Sequence, residues 1–235
     1  MNSNDSQNVH AAYSAALHGL YAITDPKLLP GETLLSGVAL AIAGGAKVIQ
    51  YRNKTATVAR QQEEATALRK LCHQHNVIFL VNDDVQLCLK SGADGVHLGQ
   101  QDGKLADARH RLGSEAIIGV TCHDSETMVS TAERAGADYV ALGRFFPSQT
   151  KPEAPAASIA ILKQIRQQTS LPIVAIGGIT ENNGRQLISA GADMLAVIHG
   201  VFGQKNIRQH ASALHDLFGQ ANEPKDTTLH TTSRD

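Results

Sequence analysis

No charge of one sign dominates this sequence. Twenty-one Lys and Arg face 22 Asp and Glu, a formal net charge of −1, so the basic excess that would neutralise a nucleic-acid backbone is missing and a general DNA binder is not expected. Nor is there an apolar run near the roughly 18 residues that span a bilayer. The N-terminus, with Asp5 and no basic flank, lacks signal-peptide organisation. A soluble, cytoplasmic protein without a membrane partner is expected. Cysteine is scarce: Cys72, Cys88 and Cys122 form no CxxC pair and are odd in number, which gives no support to a disulfide framework or a cysteine zinc site. They read as small buried hydrophobes. Also absent are GxxxxGK[ST], HExxH and GxSxG, and with them P-loop hydrolysis and the common nucleophile constellations.

What is present is apolar residue in short, regularly spaced runs. At 235 residues with 42% hydrophobic side chains the chain can fill a large core. Ala43-Gly44-Gly45-Ala46-Lys47, Ser91-Gly92-Ala93-Asp94, Ala135-Gly136-Ala137-Asp138 and Ala190-Gly191-Ala192-Asp193 form an internal repeat. In each, glycine suits a left-handed helix C-cap, and an apolar run follows. With the unmarked runs between them, eight strands are predicted: Leu20–Ile23, Lys47–Tyr51, Ile78–Val81, Gly95–Leu98, Ile117–Val120, Tyr139–Leu142, Ile173–Ile176 and Leu195–Ile198. Segments with helical spacing separate them, such as Ala59 through Leu71. Nearly all-apolar strands alternating with helices imply a buried parallel sheet. Eight such units close into an α/β (β/α)8 TIM barrel of a single domain, with an open doubly wound sheet as the alternative. Residues 1–17 read as an N-terminal extension, 18–219 as the barrel, and 220–235 as a disordered tail.

In a barrel the chemistry belongs at the C-terminal strand ends. There the sequence places Gln50-Tyr51-Arg52-Asn53-Lys54, Asn82-Asp83-Asp84, Asp102, Thr121, Ser148-Gln149-Thr150-Lys151, Gly177-Gly178 and Ile198-His199-Gly200. Alternation turns Gln50, Arg52 and Lys54 to one side. Arg52, Lys54 and Lys151 bring three cations toward one rim, and Asp83 and Asp102 bring two carboxylates. Ordinary surface charges and salt bridges are the competing reading of each. Oxygen ligands without Cys or paired His suit a hard ion such as Mg²⁺, completed by water and substrate phosphates. Gly177-Gly178 and Ile198-His199-Gly200 suggest a second anion site built from backbone N–H groups, although glycine also serves simple turns. His97 lies inside a strand, where it orders neighbouring polar groups if it faces the barrel interior.

Read together and in order, these segments resemble thiamine-phosphate synthase over roughly Gly19 to Phe218. The resemblance rests on Gln50 to Lys54, Val81 to Asp84, Gly95 to Asp102, Pro147 to Lys151 and Ala175 to Ile179. It implies the coupling of 4-amino-2-methyl-5-hydroxymethylpyrimidine diphosphate to 4-methyl-5-(2-phosphoethyl)thiazole, with Mg²⁺ as cofactor. By the same resemblance Gln50, Arg52, Lys54, Asn82, Thr121 and Lys151 bind the pyrimidine diphosphate, in a segment that includes Tyr51 and Asn53. Asp83 and Asp102 hold Mg²⁺, and Ser148, Gln149, Thr150, Gly178, Ile198 and His199 bind the thiazole phosphate. Arg52, Lys54 and Lys151 are the residues expected to carry catalysis. His199 stands where the family commonly has Ser, and Ser148 where it has Thr. A thiazole tautomerase-like relative and a phosphate-ligand sensor are the alternatives, and a homo-oligomer is left open.

Overall fold

The computed structural model describes residues 16–100, 103–148 and 156–219. Eight parallel strands form a closed barrel in sequence order: β1 (Gly19–Ile23), β2 (Val48–Tyr51), β3 (Ile78–Asn82), β4 (Gly95–Leu98), β5 (Ile117–His123), β6 (Tyr139–Gly143), β7 (Ile173–Ile176) and β8 (Met194–Val197). The expected (β/α)8 architecture is thus observed. The main departure from the predicted strands is β5, which runs on through Thr121, Cys122 and His123. A register shift against β6 between Thr121 and His123 accommodates the extra length, with His123 in the left-handed region at φ 53°.

Around the barrel lie α1 (Thr33–Ala43), α2 (Val58–Gln74), α3 (Val85–Ser91), α4 (Leu105–Leu112), α5 (Glu126–Arg134), α6 (Ile159–Arg166), α7 (Gly184–Ser189), the short α8 (His199–Phe202) and α9 (Ile207–Gly219). Four of them start on a side-chain cap. Thr57, Asp84, Ser125 and Ser158 accept the backbone N–H groups of Arg60, Leu87, Met128 and Ile161 respectively. Strand alternation splits the core in two. Leu20, Ala22, Ile49, Phe79, Val96, Ile118 and Val140 face the helices. Tyr21, Ile23, Val48, Leu80, Ile117, Tyr139 and Met194 fill the barrel interior, together with Leu17. Leu17, placed in the extension by the sequence, therefore packs as part of the barrel. The rest of that extension, residues 1–15, and the tail 220–235 lie outside the described residues.

The glycine repeat does what its position predicts: Gly45, Gly92, Gly136 and Gly191 all have positive φ, from 70° to 107°. The aspartates that follow have a further role. Asp94, Asp138 and Asp193 accept the backbone N–H groups of Phe79, Ile118 and Ile173, each on the preceding strand, at 2.7–2.8 Å. Each carboxylate also meets a basic side chain from a surrounding helix: His73, Arg109 and Arg166 at 2.9, 2.6 and 3.0 Å. These pairs tie helix, loop and strand together at the N-terminal end of the barrel. Among the described residues no helix is long and apolar enough to cross a membrane.

Candidate active site

At the opposite end, where the strands exit, a cavity of about 320 Å³ opens into the barrel. Its contributions come from separate strands. Gln50 and Arg52 enter from β2, Asn82 from β3, His97 from β4 and Thr121 from β5. From the other arc come Ser148 after β6, Gly178 after β7, and Ile198 and His199 after β8. Eight of the residues expected to bind substrate therefore line one hollow.

Alternation along β2 explains which residues of Gln50 to Lys54 do so. Gln50 points inward and is buried, whereas Tyr51 points outward and donates its hydroxyl to Glu64 on α2 at 2.7 Å. Asn53 donates to the same carboxylate at 3.2 Å, and its own Oδ1 accepts the N–H groups of Thr55 and Ala56. Neither side chain lines the cavity: both brace the strand exit from behind. Arg52 is fixed at its backbone, where its N–H donates to Thr24 Oγ1 at 2.9 Å.

Lys54 does not line the cavity. Its Nζ reaches Asp83 Oδ2 at 2.6 Å, with about half of the lysine side chain exposed. Water screens such a pair strongly, and it adds little stability. Asn82 Nδ2 donates to the same Asp83 oxygen at 2.6 Å. Asp83 itself sits at φ 65°, and the next residue, Asp84, is consumed as the cap of α3. The three polar residues at the end of β3 thus have three jobs, and of the two carboxylates only that of Asp83 is not taken up by a helix cap. Its carboxylate, shared with a half-exposed lysine rather than sealed in a core, is a suitable hard-oxygen donor for Mg²⁺. Among the described residues no group of three or more His, Cys, Asp or Glu forms a metal cage. An ion there would draw its remaining ligands from water and substrate. The other expected ligand, Asp102, and the expected contacts Gln149, Thr150 and Lys151 lie outside the described residues.

The cavity floor is a hydrogen-bonded chain. Gln50 Nε2 donates to Tyr21 Oη at 2.6 Å, Tyr21 Oη lies 2.9 Å from Tyr139 Oη, and His97 Nδ1 lies 2.9 Å from Tyr139 Oη. His97 Nε2 then meets Thr121 Oγ1 at 2.9 Å. Burial pushes both phenols well above their ordinary range, so both keep their protons. The sequence located Gln50, His97 and Thr121 but missed Tyr21 and Tyr139. Their signal is a tyrosine at an inward position of an otherwise aliphatic strand.

On the far arc, Gly177 and Gly178 take φ of 106° and 62°, and a Cβ on Gly178 would overlap the Pro147 carbonyl oxygen. This close passage requires glycine. Asn183 pins the loop, donating to the Gly178 carbonyl at 3.0 Å and accepting the Thr180 N–H at 2.8 Å. Arg144, directly after β6, also lines the cavity and packs under Gly177. The exit residues expected from the sequence after this strand begin only at Ser148, four positions further along.

Residues 20–201 match the family model described as thiamine monophosphate synthase. A thiamine-phosphate synthase of Alcanivorax borkumensis is 55% identical over 86% of this chain and 93% of its own. One of Nitrosococcus oceani is 49% identical over 90% of this chain and 98% of its own. Among solved structures, a thiamine phosphate pyrophosphorylase of Pyrococcus furiosus superposes with a TM-score of 0.81 at 33% identity, covering 88% of this chain and 98% of that one. The chain belongs to the thiamine-phosphate synthase family.

Proposed function

We propose that the cavity joins 4-amino-2-methyl-5-hydroxymethylpyrimidine diphosphate to 4-methyl-5-(2-phosphoethyl)thiazole by a dissociative displacement, releasing thiamine phosphate and diphosphate. The observation that carries this reading is the convergence of Gln50, Arg52, Asn82 and Thr121 on one arc with Ser148, Gly178, Ile198 and His199 on the other. Two anionic substrates are accommodated by one hollow with a cationic and amide-rich side and a glycine-lined side.

The bond to break joins the pyrimidine methylene carbon to a diphosphate oxygen, whose electron pair leaves with the diphosphate. The thiazole nitrogen supplies the pair for the new C–N bond. Protein groups are then required mainly to stabilise charge on the leaving group, and a preorganised cation in a sheltered site does this well. Arg52, which lines the cavity, is assigned that role, and so is Lys54, whose ammonium pairs with Asp83. Lys151 is assigned the same role by the family resemblance. Asp83 with Asp102 would hold Mg²⁺, which when bound supplies further positive charge to the diphosphate. Gln50 and Thr121 orient the pyrimidine, while Gly178, Ser148, Ile198 and His199 receive the thiazole phosphate. A protein nucleophile is not required. In keeping with this, burial pushes the thiols of Cys72, Cys88 and Cys122 up to about 12, leaving them protonated at neutral pH.

The metal assignment is tested by titrating Mg²⁺ against turnover in Asp83→Asn. Asparagine tolerates the left-handed backbone at this position, so the fold is kept. The half-saturating Mg²⁺ concentration is expected to rise on the order of tenfold or more, as for loss of a charged ligand. An unchanged titration would contradict the assignment.

A further inference from the structure

Gln50 and Thr121 are ambiguous recognition groups. A side-chain amide can present oxygen or nitrogen, and a hydroxyl can donate or accept. Something must fix their polarity before a heteroaromatic ring can be read. We propose that Tyr21, Tyr139 and His97 are positioning residues that polarise the cavity floor, making Gln50 a hydrogen-bond acceptor and Thr121 a donor toward the ligand.

The direction follows from proton counting along the chain. A phenol has one proton to donate. Gln50 Nε2 fills the acceptor side of Tyr21, which directs the Tyr21 proton onward to Tyr139 Oη. Tyr139, now an acceptor from Tyr21, directs its own proton to His97 Nδ1. His97 is thereby held as the tautomer with its proton on Nε2, which donates to Thr121 Oγ1. The Thr121 proton is left to point into the cavity, and Gln50 offers Oε1. Both phenols are almost wholly buried, with 1% and 0% of their surface exposed. Water therefore has little access to reverse any link, and breaking one would strand a buried polar group.

A floor with one acceptor and one donor complements an aromatic amidine edge, in which an exocyclic amine donates and a ring nitrogen accepts. It repels the corresponding oxo ring, whose exocyclic oxygen would face Gln50 Oε1. The inference rests on the pyrimidine-binding role assigned above and adds how the amino ring is distinguished from its deaminated counterpart with the help of two buried phenols, Tyr21 and Tyr139, that do not line the cavity.

The test is competition binding, without turnover, of the 4-amino pyrimidine diphosphate and its 4-oxo analogue to the unmodified chain, Tyr21→Phe and Tyr139→Phe. The unmodified chain is expected to favour the amino compound by about 100-fold, the order produced when two hydrogen bonds become mismatched. In either phenylalanine variant the chain is cut, the amide and the imidazole are free to reverse, and the preference is expected to fall below about tenfold. A merely structural role would lower the melting temperature and leave this ratio alone. Tyr21→Phe decides the matter if Tyr139→Phe does not fold. A preserved ratio in a folded variant that binds the amino compound overturns the inference while the functional reading stands. Failure of the unmodified chain to bind the amino compound overturns both.

Discussion

Arg52 enters the cavity because it falls in phase with Gln50 on a strand whose intervening residue, Tyr51, is anchored outside by Glu64. Its backbone is held by Thr24, so the guanidinium is presented by a fixed exit rather than by a loose loop. Arg52→Ala is expected to lower turnover by about 10²–10³, the cost of removing one preorganised charge-stabilising group. Steady-state kinetics beside a thermal melt check this; near-normal rates with an intact fold would count against it. The same alternation shows what a sequence can and cannot reveal at this scale. Gln50 and Arg52 were legible because a period of two sorts a strand into faces. The side chains of Tyr51 and Asn53 fall outside the cavity because a family motif is contiguous, whereas the lining takes only every second residue of the strand. Arg144 was missed because only the folded course of the loop after β6 brings it under Gly177.

Among the elements, the recurring aspartates carry the heaviest mechanical duty. Asp138 accepts the Ile118 N–H and meets Arg109, which also donates to the carbonyls of Gly113, Ala116 and Gly136. Asp138→Ala would leave a mostly buried guanidinium without its anion and a strand N–H without its acceptor. A loss of about 3 kcal/mol is expected, which for a chain of this length corresponds to a fall of roughly 6–12 °C in melting temperature. Catalysis should survive, since the pair lies at the barrel end remote from the cavity. Lys47 occupies the equivalent place in the first repeat and is exposed. Lys47→Ala is expected to change stability by less than about 0.5 kcal/mol. Equal effects of the two substitutions in a melt would contradict the role given to the carboxylate. The strands themselves were legible as apolar runs. The continuation of β5 was not, because Thr121 and His123 are polar and resemble a loop. Nor were the carboxylate partners, since the backbone N–H that an aspartate accepts from the previous strand leaves no local pattern.

For the whole molecule, barrel closure is the decisive step. Residues from Gln50 to His199 meet only because β1 pairs with both β2 and β8, bringing the last exits beside the first. The sequence anticipated that closure from eight short runs separated by helical segments. It could not show how the floor beneath the exits is wired, because Tyr21 and Tyr139 are more than a hundred positions apart and touch only across the barrel. The most direct measurement is diphosphate release when both substrates and Mg²⁺ are mixed with the protein. One diphosphate should appear for each thiamine phosphate, with negligible release when the thiazole phosphate is left out. Binding without release, or release indifferent to the thiazole partner, would contradict a cavity built to couple the two.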